Sequence, residues 1–362
     1  MKAPSGLAFT EFLGRGADGP LGVGVGFDPF SSSGLWAYSC GVWISRLLML
    51  ALVALALVVP ATSGASGFQT SSCFGAGVFG QRCAGSKTAA NLSLRVFPSI
   101  DSARHTKWRY GSQRNDKFCN GGLRWCDTLL SCSLGVTPAR PDKTVALIGD
   151  SHSAAWRPAI DAAANARHWN VISLVQGSCD YNIVTQDRGG YVDPVECRRW
   201  RLRIPSFLAA RPSIHTVIFA EYSYEGRGES PAHEIAAYHQ AWKLLPASIR
   251  QLVVIRDNPH GGVEYYKCIE DAQSRHAALG PACASPRAQV LEPDYAAAAA
   301  KTELGRKARV VDLSDTYCNR KVCFPVIGGA LVYGENSHLT PTFNRTLAPA
   351  FLAALDKGGP ID

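Results

Sequence analysis

Thr144-Val-Ala-Leu-Ile-Gly-Asp-Ser-His-Ser153 is the stretch that decides the fold. Val145 to Ile148 are four consecutive apolar residues, the pattern of a fully buried strand. Gly149 permits a sharp turn. Asp150, Ser151 and His152 follow, and then Ala155, Trp156, Ile160, Ala163 and Ala164 share one helical face. Ser151 therefore stands where a strand ends and a helix begins. In open parallel α/β sheets that edge is where ligands bind. A helix start also offers unpaired N–H groups and positive dipole to a developing oxyanion. Taken alone, Gly149-Asp150-Ser151 is equally a turn with a helix cap, since Asp and Ser are ordinary capping residues.

From residue 141 onward the pattern is regular. Strands are predicted at 144–149, 169–175, 214–220, 251–256 and 308–313, β-branched and apolar on both faces as central parallel strands are. Helices are predicted at 154–166, 197–210, 231–245, 292–306 and 341–356. Ser230-Pro231 and Thr340-Pro341 read as an N-cap followed by proline at the first helical position, and Pro349 as a kink in the last helix. Strands alternating with helices mean a parallel sheet covered on both faces, the α/β class.

Upstream the texture differs. Leu47–Pro60 is an uncharged apolar run preceded by Arg46 and followed by Ala61-Thr-Ser-Gly-Ala65. That is the order of a secretory signal, with an uncleaved signal anchor as the other reading. Residues 1–42 are Gly-rich, either a cytoplasmic tail or residues ahead of the true start. Residues 1–65 thus form the tail and leader, and the rest is expected outside the cytoplasm, secreted or held by the 47–60 segment. Residues 66–140 are rich in Cys, Gly, Ser and Asn without sustained period. They read as a cysteine-rich extension, in which Trp108-Arg109-Tyr110 and Trp125 serve as anchors or as a binding surface. Residues 141–362 form the main domain.

The chain of 362 residues carries 12 Cys and a net charge of +8. No Cys-x-x-Cys pair occurs, which argues against a zinc ribbon or a redox motif and for disulfides in an oxidising compartment. Cys179–Cys197, Cys268–Cys283 and Cys318–Cys323 are the expected local pairs. Eleven cysteines remain after Cys40, so one thiol is left free or pairs between chains. The charge survives removal of the leader, because residues 1–65 hold three basic and three acidic residues. Such a charge suits anionic envelope polymers or lipid headgroups, although solvated surface charge is the preferred reading. No basic helix with interleaved aromatics points to nucleic acid.

The second informative stretch is Tyr333-Gly-Glu-Asn-Ser-His-Leu-Thr340, in a loop ahead of the last helix. A neutral His338 near a serine can take its proton during attack on an ester. Glu335 is the nearest carboxylate in sequence able to orient that ring. Arg256 and Asp257 end a strand at the same sheet edge, where they either face the cleft or form a structural ion pair, the preferred reading.

The strand–Gly-Asp-Ser-His–helix order near the start and Glu335-x-Ser-His-Leu-Thr near the end resemble the SGNH/GDSL hydrolase superfamily. More specifically they resemble the SGNH domain commonly fused to acyltransferase-3 membrane proteins. Cys197-Arg-Arg-Trp200, Val254-Ile-Arg-Asp-Asn-Pro259, Val311-Asp-Leu313 and Gly328-Gly329 match that texture. The resemblance covers roughly 141–356. It implies a three-layer α/β/α sandwich with a five-stranded parallel sheet, Ser151 as nucleophile and His338 as general base. Glu335 stands where the family usually has Asp. The oxyanion donors it implies are the N–H of Ser151 and of a glycine, for which Gly177 is the candidate. The loop Glu221-Tyr-Ser-Tyr224 holds no Asn to complete them. No metal or organic cofactor is implied. The expected activity is that of an exported serine esterase or O-acyltransferase, with acetyl the expected group. Its substrate would be a cell-envelope glycan or glycolipid, and a separate membrane acyl donor is a candidate partner. The alternative is a non-catalytic glycan-binding or accessory module with the same fold.

Overall fold

The structure, a computed structural model, describes residues 73–79, 83, 93–105, 120–126, 129–136, 141–182, 194–223, 230–262, 264–335 and 337–362. The leader, Cys40 and Trp108-Arg109-Tyr110 lie outside the described residues.

The strands are β1 Asn120–Cys126, β2 Leu129–Gly135, β3 Lys143–Gly149, β4 Trp169–Val175, β5 Thr216–Ala220, β6 Gln251–Ile255, β7 Ser285–Pro286, β8 Lys307–Val311, β9 Val322–Cys323, β10 Val326–Ile327 and β11 Ala330–Leu331. The helices are α1 Ile100–His105, α2 Ser151–Ala166, α3 Pro194–Ala209, α4 Pro231–Lys243, α5 Glu264–Ser274, α6 Leu279–Ala282, α7 Arg287–Val290, α8 Tyr295–Thr302, α9 Pro341–Arg345 and α10 Ala348–Lys357. The main sheet runs β1-β2-β4-β3-β5-β6-β8. Its five strands from β4 to β8 are parallel, as expected. The chain starts at β3, steps to β4 on one side, then crosses to β5, β6 and β8 on the other. The order therefore reverses between β3 and β5, and a crevice opens beyond the carboxyl ends of those two strands.

Alternation along the strands builds the two helical layers. Val145, Leu147, Ile218, Val253 and Ile255 pack with Trp156, Ile160 and Phe351 from α2 and α10. Ala146, Ile148, Val217, Phe219, Leu252 and Val254 pack with Trp200, Ile204 and Trp242 from α3 and α4. Each strand is buried on both faces, so its sequence is an unbroken apolar run rather than an alternating one.

The extension is more ordered than a loop reading allows. Its hairpin β1–β2 joins the sheet, with β2 antiparallel to β4 through Ser133↔Ile172 and Leu134↔Val171. The sheet has seven strands as a result, and the hairpin covers what would be the bare edge of β4. The turn at Gly75–Phe79 packs on the main domain too: Gly75 N donates to Gly328 O (3.2 Å) and Ala76 N to Thr346 Oγ1 (2.8 Å).

Two helices differ from expectation. The predicted 292–306 segment is helical only over Tyr295–Thr302, capped by Asp294. The predicted 341–356 helix breaks into α9 and α10 at Thr346-Leu347, and Pro349 opens the second piece instead of kinking one helix. Cys179–Cys197, Cys268–Cys283 and Cys318–Cys323 are bonded, and Cys73–Cys83 is a fourth pair. No described cysteine is free, so the odd thiol is not among the described residues.

Candidate active site

Gly149 ends β3 with φ +145°, and a Cβ there would stand 2.6 Å from Ala220 O and 2.6 Å from Ser153 Oγ. The strand end thus presses directly on the end of β5. Asp150 caps α2, accepting from His152 N at 2.8 Å, and its other oxygen accepts from Tyr222 N at 3.1 Å. One carboxyl so joins the two strand ends that flank the crevice. Burial pushes it up to about 7, with Asp180 acting the same way, against His152 and the two N–H donors. Ser151 is the first residue of α2 and half-buried, with its side chain at the crevice.

His338 arrives from the opposite end of the chain. Its loop folds back on itself: Gly334 N donates to His338 O (2.8 Å) and Thr340 N to Val332 O (2.8 Å). Ser337 takes a left-handed φ of +64°, and its carbonyl is held by Asn258 Nδ2 at 2.9 Å. Asn344 Oδ1, on α9, accepts from Ala159 N at 2.8 Å and ties the helix after His338 to the helix that carries Ser151.

These constraints bring His338 Nε2 to 2.7 Å from Ser151 Oγ across 187 residues of sequence. On the other side, His338 Nδ1 lies 2.9 Å from the main-chain carbonyl of Glu335. A carbonyl only accepts, so Nδ1 carries the proton in the neutral ring. Nε2 is then the acceptor, and Ser151 donates to it. The Glu335 carboxylate is exposed and makes no contact with the ring; the residue meets His338 through its backbone instead. A longer acid on a tight loop reaches outward, while its carbonyl is brought inward by the turn. Burial holds His338 well below its usual range, to about 3, and His152 pushes the same way. The Glu335 carbonyl and Asp257 oppose them.

Gly177 lies in the turn that follows β4, and that turn is fixed to the nucleophile strand by Gln176 N donating to Gly149 O at 3.1 Å. Cys179–Cys197 fastens the same turn to α3. The loop after β5 places Tyr222 and Ser223, not an amide, at the crevice.

Arg256 and Asp257 are not the ion pair read from the sequence. Arg256 Nη1 turns to Ser314 Oγ (2.7 Å), whereas Asp257 faces His152, its Oδ1 2.6 Å from Nδ1. Strand ends point neighbouring side chains to opposite faces, which separates adjacent residues. Sequence reasoning gave His152 no role, and for Asp257 it preferred the ion pair over the cleft position. Their adjacent sequence positions, directly after Ser151 and at a strand end on the ligand edge, were the available signals. Among the described residues no cluster of His, Cys, Asp and Glu is arranged to hold a metal ion.

The chain matches the family model described as the SGNH domain (fused to AT3 domains) over residues 113–353. It belongs to that family. The match begins inside the cysteine-rich segment, consistent with β1 and β2 being strands of the same sheet. No curated protein matches. Among solved structures, the periplasmic domain of a lipopolysaccharide acetyltransferase from Salmonella ser. Paratyphi A is similar at 12% identity, covering 62% of this chain and 89% of that one, with a TM-score of 0.42. So distant a likeness says nothing of chemistry. The disulfides of this SGNH chain fit an oxidising, extracytoplasmic compartment. Among the described residues no helix is long and apolar enough to cross a membrane.

Proposed function

We propose that this chain is an exported serine O-acyltransferase or esterase, working through an acyl-enzyme on Ser151. The observation that carries the reading is the 2.7 Å contact between Ser151 Oγ and His338 Nε2, in a ring whose Nδ1 is already committed to a carbonyl. Ser151 Oγ attacks the acyl carbonyl carbon while its proton passes to Nε2. The tetrahedral intermediate collapses, its C–O bond to the alcohol breaks, and the alcohol leaves with the proton from Nε2. A second hydroxyl, from a sugar or from water, repeats the sequence in reverse. The N–H of Ser151 at the helix start, with that of Gly177, is the proposed oxyanion donor pair. Glu335 orients the base through its carbonyl. Acetyl on a cell-envelope glycan or glycolipid is the proposed cargo and acceptor class. The family's fusion to AT3 domains supports a separate membrane acyl donor as partner.

A second reading, a glycan-binding module without turnover, is favoured by one observation: the group that meets His338 Nδ1 is a main-chain carbonyl. Labelling of the full chain by a fluorophosphonate, read by intact mass, separates the two. A single adduct on the wild type that is lost in Ser151→Ala and in His338→Ala is the expected result. A folded wild type that takes no adduct overturns the acyl-transfer reading in favour of the binding module.

A further inference from the structure

Beside the dyad lies a second histidine–acid pair to which acyl transfer as described assigns no task. His152 follows the nucleophile in the first turn of α2, and its Nδ1 stands 2.6 Å from Asp257 Oδ1 with the two side chains 2% and 1% exposed. Asp257 is held from every side. Its Oδ1 also accepts from Asn258 N (2.9 Å), and its Oδ2 accepts from Ser223 N (2.7 Å) with Ser223 Oγ and His260 Nε2 each at 3.2 Å. Burial alone would favour the protonated acid. His152, then His260, outweigh it and hold the carboxyl well below the usual carboxylate range. A buried anion with an uncharged partner would be uncompensated, and that is costly. The 2.6 Å contact with that carboxylate favours the proton on His152. Burial lowers its proton affinity, but Asp257 first, and then Asp150 and Asp180, raise it above the ordinary imidazole value.

The charge is also locked in place. Tyr222 packs edge-on against the His152 ring at 4.8 Å and stacks on His260 at 4.5 Å. His152 Nε2 is enclosed and has no hydrogen-bond partner, so no second anion neutralises that side of the ring. The His338 ring is its neighbour, at 5.0 Å between centroids.

We infer that His152 is a positioning residue for acyl transfer: its Asp257-held positive charge, fixed beside His338, adds to burial in keeping the His338 ring uncharged at rest and ready to take the Ser151 proton in acidic surroundings. The inference rests on the acyl-transfer reading of the same site. His152 acts through His338 and does not touch the Ser151 hydroxyl. Two positive rings at this spacing in a buried site repel, so the proton stays on the ring that has the carboxylate. In the attack the developing oxyanion supplies the negative charge that lets His338 accept a proton.

His152, Asp257 and the Glu335 carbonyl act on His338 directly, and the charged groups of the packed elements around them enter the balance. Asp150 and His152 stand on the start of α2, Asp180 beyond β4, and Glu221 and Tyr222 after β5. Asp257 and His260 stand after β6, Glu292 and Asp294 ahead of α8, and Glu335 on the loop itself. His260 contacts Asp257 and Glu292 (3.0 Å to Nδ1), and His152 is the ring whose centroid stands 5.0 Å from that of His338.

The test follows ring protonation by histidine nitrogen NMR on the full chain, with His338→Ala and His152→Gln as assignment variants. Gln can donate to Asp257 while carrying no charge. In the wild type at pH 7, His152 should be doubly protonated and His338 neutral; the reverse assignment overturns the inference whether or not any variant folds. In folded His152→Gln, the His338 titration should move up by one unit or more toward 6.5, the ordinary value. Fluorophosphonate labelling at pH 5 should fall in proportion to the protonated fraction of His338 that this titration gives, while the rate at pH 8 stays within threefold. A merely structural role would depress both rates alike and leave the titration in place. An unchanged titration overturns the role of His152. A wild type with the inferred charges that takes no adduct counts instead against acyl transfer.

Discussion

His338 and His152 stand with ring centroids 5.0 Å apart, both buried, yet their Nδ1 atoms face different partners. His338 meets the main-chain carbonyl of its own loop, three residues away. His152 meets a carboxylate delivered by a strand end 105 residues away. A carbonyl dipole selects a tautomer and supports a neutral ring. A buried carboxylate supports an imidazolium. The buried acid thus pairs with the ring beside the base: Nδ1 of the base meets a carbonyl, and Nδ1 of its neighbour meets Asp257. Asp257 still acts on His338, through space and in the stabilising direction. The same acid can therefore assist the imidazolium that forms during attack without being hydrogen-bonded to it.

The largest effect that would break this comparison is removal of the acid. Asp257→Ala strips the partner from His152 and leaves the N–H groups of Ser223 and Asn258 unpaired, and breaking such a buried pair costs about 3–5 kcal/mol. Urea unfolding with the disulfides intact measures it. A loss below about 1 kcal/mol, the range of an exposed pair, would mean that His152 is neutral and that the two rings are alike. Asp257→Asn, which keeps the shape and an acceptor, should fall between these values.

A smaller effect is expected at the turn on which both sides of the comparison depend. Ser151 and His152 follow Gly149, whose φ of +145° has no room for a side chain. Gly149→Ala adds strain of about 1–3 kcal/mol at such a backbone position. It also drives the Cβ against Ala220 O, a backbone atom that cannot turn aside. The end of β3 must then shift from β5, carrying Ser151 away from His338. Labelling of Ser151 should fall more than tenfold while the far-UV circular dichroism stays that of the wild type. Equal labelling would show that the 2.7 Å contact tolerates displacement of its own strand.

Much of this geometry was legible in the sequence because it is local. Of the five parallel strands, β3, β5 and β6 announce themselves as nearly unbroken apolar runs, and Ser151 and His338 sit in short motifs on the expected strand end and loop. The disulfides at 179–197, 268–283 and 318–323 close short loops that spacing alone suggests. What escaped depended on long-range contact. β2 finds its place only by pairing with β4, and its own sequence, Leu129-Leu-Ser-Cys-Ser-Leu-Gly135, is too polar and brief to read as a sheet strand. Asp257 was assigned to its neighbour Arg256 because sequence shows adjacency, whereas strand pleating sends the two side chains apart. Glu335 was read for its carboxylate because a sequence displays side chains; the group that meets His338 is one that every residue possesses.

That last point carries the smallest expected effect and the sharpest discrimination. Had the Glu335 carboxylate been the third member of the catalytic set, neutralising it would cost a factor of about 10⁴, as loss of the orienting acid does in a serine triad. Glu335→Gln keeps the backbone carbonyl and changes only an exposed group, so Ser151 labelling should stay within about threefold of wild type at pH 7, and stability within about 0.5 kcal/mol, as for a surface substitution. His152→Gln in the same assay loses labelling at pH 5 as far as His338 has titrated upward, so the carboxylate expected to orient the base is the more dispensable of the two. A loss of a hundredfold or more in Glu335→Gln would reverse that order. It would mean that the carboxylate swings onto Nδ1 when His338 becomes charged, and that the two histidines differ only at rest and become alike during attack.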